Sequence, residues 1–144
     1  MKLKEVFFED VKEGDEVSIE KGPITRTQIV QYAGASGDFN PMHHDERMAV
    51  GQYGEDTVFA HGMTSFGFVT QMLVDNFGAG NIRKHMARFT VQVRPGDMLR
   101  FTGKVIKKYS EEGLNLIDIE THGKNQYDRT SLIGKATLML PSKG

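Results

Sequence analysis

The segment from Gly62 to Phe77 constrains this chain most. Met63, Phe66, Val69, Met72, Leu73, Val74 and Phe77 recur at helical spacing, and Gly78 stands where such a helix would stop. Thr64, Ser65, Gly67 and Thr70 are small, so few positions are left for solvent. A helix that is apolar nearly all round is a buried helix, and the rest of the chain must supply something to cover it.

The cover is written from residue 80 onward, where the period changes to two. Phe89, Val91 and Val93 alternate with Arg88, Thr90, Gln92 and Arg94, ahead of a turn at Pro95-Gly96-Asp97. Leu99, Phe101, Gly103 and Val105 then alternate with Arg100, Thr102 and Lys104. Glu111-Glu112-Gly113 predicts a second turn, residues 114–120 a third strand, and Gly123-Lys124-Asn125 a third turn. Leu132, Gly134, Ala136, Leu138 and Leu140 form the last alternating run. Strands joined in succession by turns predict an antiparallel meander with one apolar face to bury. The apolar helix is what that face would pack on, which makes the chain an α+β layer design.

The first half carries local signals of its own. Residues 1–23 read as an entry arm, with a turn at Gly14-Asp15 and a short strand in which Val17 and Ile19 alternate with Ser18 and Glu20. Thr25-Arg26-Thr27-Gln28 fits a capping box, and Ile24 and Ile29 stand where a hydrophobic staple places its two side chains. The helix they open is predicted to run to about Ala33, with Gly34 as its stop. Residues 34–44 form a punctuated loop, and a short helix follows from about residue 45 to 50.

At 144 residues the chain is the length of one domain, residues 1–144, with no repeat or linker-like tract. Its net charge of -1 gives nucleic-acid binding little electrostatic support. There is no cysteine, which excludes disulfides and thiolate sites. No run approaches the roughly 18 apolar residues of a membrane span, and the N-terminus lacks the pattern of a signal peptide. The expectation is a cytoplasmic protein with no membrane partner.

Two polar segments interrupt the apolar plan. In Asp38-Phe39-Asn40-Pro41-Met42-His43, Pro41 fixes its own φ and biases Asn40 towards extended backbone, while Gly34 and Gly37 permit tight turning just before. A stiff loop would thus hold a carboxylate and an imidazole five residues apart, the pair of groups that proton transfer to and from water requires. The same residues also make a good turn on propensity alone, and His43 also suits a cap on the helix that follows. The second segment, Ala60-His61-Gly62-Met63, opens the apolar helix. A helix N-terminus offers free N–H groups and partial positive charge, and Gly62 has no Cβ to keep a ligand oxygen away. It is also an ordinary way to begin a helix.

The run Tyr32-Ala33-Gly34-Ala35-Ser36-Gly37-Asp38-Phe39-Asn40-Pro41-Met42-His43, followed by Ala60-His61-Gly62-Met63, resembles the signature of MaoC-like (R)-specific enoyl-CoA hydratases and the related (R)-3-hydroxyacyl-thioester dehydratases. Arg88-Phe89 and Arg94-Pro95-Gly96-Asp97 also resemble the family's strand and turn, so the likeness runs from about residue 10 to 140. The resemblance implies the hotdog fold, an antiparallel sheet wrapped around one long helix, and a homodimer or higher oligomer. It also implies syn addition of water to a trans-2-enoyl thioester of CoA or acyl-carrier protein. Asp38 and His43 become the acid–base pair, Gly62 N–H the holder of the thioester oxygen, and Asn40 a support for the loop. Some members carry a helix serine that orients the site; the corresponding residue here is Thr70, a departure that keeps the hydroxyl, while Ser65 is nearer the helix start.

The implied chemistry needs neither cofactor nor metal, and the histidines lack zinc-site spacing. Arg88, Arg94, Lys104 and Lys124 are the bases on hand to meet CoA phosphates. Two other readings remain open at this point. A hotdog acyl-CoA thioesterase normally wants a carboxylate on or near the central helix, where this chain has Asp75 near the far end. An acyl-binding subunit of a heteromeric dehydratase would lack the catalytic pair, which this chain has.

Overall fold

Thr25 opens the first helix as its local chemistry dictates. Its hydroxyl accepts from Gln28 N–H at 3.1 Å, the Gln28 side chain accepts from Thr25 N–H at 2.9 Å, and Ile24 and Ile29 are both buried. The helix, α1, covers Arg26–Ser36 and ends one turn later than its first glycine suggests. Gly34 lies inside it, and Gly37 is the stop, with φ 76° and its N–H donating to the Ala33 carbonyl. α2 covers Glu46–Gly51 and is capped by the Asp45 carboxylate. α3 covers Gly62–Phe77 and closes at Gly78, as the apolar pattern predicts.

Five strands complete the computed structural model, which describes residues 5–144; residues 1–4 of the N-terminal arm lie outside the described residues. They are β1 (Glu16–Lys21), β2 (Ile82–Phe89), β3 (Leu99–Glu111), β4 (Leu114–Asn125) and β5 (Thr130–Met139). The sheet is antiparallel throughout, in the order β1-β3-β4-β5-β2. The meander is therefore real for β3, β4 and β5 but not for β2, which crosses over to the far edge and pairs with β5. The alternation at residues 89–93 is likewise not a strand beyond Phe89. Val93 is buried in the core cluster from the connection between β2 and β3, where its carbonyl accepts from Ala60 N–H at 2.8 Å. The third turn also falls later than Gly123, at residues 126–129, where Asp128 adopts φ 59°.

The sheet curves around α3. Val69, Met72, Leu73 and Phe77 pack in one cluster with Phe101, Val105, Ile117, Ile119, Leu132 and Leu138. Close approach is set by a glycine: a Cβ at Gly103 would lie 3.1 Å from Met72 Cε. α3 is not buried all round, however. Met63, Gly67, Gln71 and Asp75, at four-residue spacing, face outward from the sheet. Among the described residues no helix is long and apolar enough to cross a membrane.

Candidate active site

The loop between α1 and α2 is built by its own side chains. Ser36 Oγ accepts from Asp38 N–H, Asp38 Oδ1 from Asn40 N–H and Asn40 Oδ1 from Met42 N–H, each at 3.2 Å. These are successive two-residue side-chain turns, and they hold the loop without any sheet or helix ladder. Pro41–His43 then forms one turn of 3-10 helix. The flanks are clamped as well: Arg26 of α1 pairs with Glu46 of α2 at 2.8 Å, and Thr57 bonds to both.

This scaffold brings Asp38 and His43 together. Their side-chain polar atoms, with those of His61, lie within 4.8 Å of one another. A gap of that size lets one water molecule sit at hydrogen-bond distance from both groups. The two differ in setting. Asp38 keeps 53% of its side chain exposed, whereas His43 is only 7% exposed and does not sit on the open loop expected of it. His43 Nδ1–H donates to the Phe59 carbonyl at 2.7 Å, which fixes the tautomer and leaves the Nε2 lone pair free. Burial pushes the His43 imidazole below its ordinary pKa; the Phe59 carbonyl opposes this, His61 adds to it, and the Asp38 charge works against it.

His61 is the residue that sequence reasoning left out of the site. It is the N-cap of α3, 3% exposed, and its ring stacks on His43 with centroids 3.8 Å apart. Its Nε2–H donates to the Asp38 carbonyl at 3.0 Å. The available signal was position, since it directly precedes the Gly62 amide. As a metal site the trio is poorly arranged. Two imidazoles stacked at 27° direct their lone pairs along nearly parallel planes rather than at a common centre, and each already spends one nitrogen on a backbone carbonyl.

Gly62 begins α3 beside this cluster, as expected, and a Cβ there would lie 2.6 Å from the Phe89 ring. Tyr32, Ser36, Asp38, His43, His61, Gly62, Met63 and Phe89 line a cleft of about 250 Å³. A second cavity of about 150 Å³ lies against it, bounded by Phe59, Ala60, Ser65, Val93 and Ser131 among others. His61, Gly62 and Phe89 line both. Asn40 serves the loop geometry through the bond given above. Thr70 does not reach the cleft: its hydroxyl donates to the Phe66 carbonyl at 2.9 Å and meets His85 Nδ1 at 3.3 Å, two turns along the helix. Ser65, buried and lining the second cavity, is the helix hydroxyl nearer the site. Of the bases named for phosphate, Arg94 pairs with Asp56, Lys104 with Glu16 and Lys124 with Asp128, leaving Arg88 outside these pairs.

A long helix wrapped by an antiparallel sheet in this strand order, with a polar loop at the helix N-terminus, defines a hotdog-fold domain. Residues 10–124 match the family model described as the MaoC like domain, and the chain belongs to that family. It is 33% identical over 144 residues to an (R)-specific enoyl-CoA hydratase of Rhodospirillum rubrum, covering 96% of this chain and 94% of that one. A 3-hydroxyacyl-thioester dehydratase Y of Mycobacterium tuberculosis is 39% identical over 80 residues, 54% of this chain and 27% of the other. The unliganded R-hydratase of Pseudomonas aeruginosa superimposes with a TM-score of 0.84 at 23% identity, covering 96% of this chain and 88% of that one.

Proposed function

We propose that residues 1–144 act as one MaoC-like domain that catalyses reversible syn hydration of trans-2-enoyl thioesters to (R)-3-hydroxyacyl thioesters. The observation that carries this reading is the placement of Asp38 and His43 within reach of one water, beside the free amides of the α3 N-terminus. His43 Nε2 takes a proton from water as its oxygen bonds to C3 of the enoyl chain, and the Asp38 carboxyl group delivers a proton to C2. The reverse assignment, with Asp38 as base and His43 as acid, is the alternative proton path. Charge that develops on the thioester oxygen is met by Gly62 N–H and by the positive end of the helix. The acyl tail passes Phe89 into the adjoining cavity of about 150 Å³, and the carrier, CoA or acyl-carrier protein, stays outside.

The sheet supports an oligomer. β2 is an edge strand without a partner strand on its outer side among the described residues, and it exposes Met86 (60%) and Phe89 (43%). Such an edge is normally paired or covered, and a second copy of this chain is the occupant we favour. The thioesterase reading finds less support. Asp75, the one acidic side chain of α3, lies thirteen residues from Gly62, roughly 20 Å along the helix at its usual rise. Incubation with crotonyl-CoA separates the readings: loss of enoyl absorbance without thiol release supports hydration, and thiol release alone overturns it.

A further inference from the structure

We propose that His61 is a positioning residue that holds the acid, the base and the helix amide in one frame; this rests on the hydratase reading above. One backbone feature and two side-chain contacts meet at this residue. Its backbone is the N-cap of α3, so it sets where Gly62 N–H lies. Its Nε2–H grips the Asp38 carbonyl at 3.0 Å, which ties the start of the Asp38 loop to the helix. Its ring is the floor against which His43 stacks at 3.8 Å, with Tyr32 packed on it at 4.8 Å.

The cost of keeping it there argues for a role in function rather than in the fold. His61 Nδ1 is buried and finds no hydrogen-bond partner among the described residues. An unpaired buried polar atom lowers stability, and a flat apolar ring of similar size would fill the same space without that penalty. Residues that a fold would be more stable without are concentrated at sites of activity. What a phenylalanine lacks at this position is the donor to Asp38.

The titratable groups around the pair are Asp38, His43, His44 and Tyr32. His61 holds His43 towards its neutral form, in the same direction as burial, while Asp38 pulls the other way. Loss of His61 therefore raises the pH at which His43 takes up a proton. The acid limb of the kcat/KM profile should move to higher pH.

The test uses His61→Phe, which keeps a stacking ring without the donor, and His61→Gln, which keeps a donor without the ring. With crotonyl-CoA, His61→Phe should lose about 10²-fold in kcat, the loss expected when reacting groups shift by about 1 Å. KM should change little, and the loss of kcat should exceed any loss of folded protein at the assay temperature. His61→Gln should recover about tenfold of that loss, the worth of one hydrogen bond, with its acid limb displaced upward. Equal kcat in wild type and both variants, or a kcat loss matched by loss of folded protein, would overturn the proposal. If the wild-type protein hydrates nothing, the hydratase reading fails by itself. NMR then still decides on the frame: His61→Phe must shift the amide signals of residues 38–40 and the His43 ring titration, and unchanged spectra would refute it.

Discussion

In the proposed reaction Asp38 and His43 share the proton transfers, yet their replacements should differ in kind. Asp38→Asn and His43→Ala should each lower turnover by at least about 10²-fold, the low end for losing a general acid or base. Only His43→Ala should also lower the unfolding free energy measured by urea denaturation, by about 1–3 kcal/mol, because it leaves the Phe59 carbonyl without its donor. The Asp38 side chain is half in solvent, and its loss carries no such penalty. The pH dependence has a definite sign. His43 and His85 both hold protons less readily in the folded chain than ordinary imidazole does, chiefly through burial. The unfolded chain therefore binds more protons as pH falls below about 6.5, and stability should decline there, as acid titration followed by circular dichroism would record. If His43 is the base as proposed, its neutral form persists below that pH, and the acid limb of kcat/KM should lie lower still. Gly62→Ala must be read with care, since the new methyl meets Phe89 first. If Gly62→Ala abolishes turnover and the double variant with Phe89→Ala does not restore it, crowding of the thioester oxygen is the cause; restoration would assign the loss to the ring clash. Spacing and residue type marked Asp38, His43 and Gly62 as candidates, while the roles proposed for them came from the family resemblance. His61 was not among them, because its bond to the Asp38 carbonyl joins residues 23 positions apart.

Among the elements, those with complete local instructions were legible and those settled by tertiary contact were not. The Thr25 box and the Gly78 stop needed no partner outside their own turns. Gly34 and Gly37 are equivalent as stop signals in a sequence; what chooses the second is that Ser36 must reach Asp38 N–H. β2 was read too far along and beside the wrong neighbour. Its pairing with β5 is a long-range choice, and Val93 is apolar because it closes over Ala60 rather than because it lies in the sheet. Glycines inside strands mark where layers touch. Gly123→Ala would bring a methyl to within 2.6 Å of the fully buried Phe101 ring, and urea denaturation should show a loss of about 1–3 kcal/mol from that overpacking.

For the molecule as a whole, the two sheet edges are managed differently. β1 puts Glu16, Ser18 and Glu20 outward, which discourages pairing. β2 offers Met86 at 60% exposure on an open edge. Light scattering on the purified chain should give the mass of a dimer or larger assembly, and Met86→Asp should shift it towards the monomer. The partition built from His61, Gly62 and Phe89 has a different consequence. One side of it looks onto Asp38 and His43 and the other onto the cavity proposed for the acyl tail. A substitution that reshapes the tail's room therefore also moves a surface that touches the chemistry, so a lineage drifting towards new chain lengths cannot leave its turnover untouched.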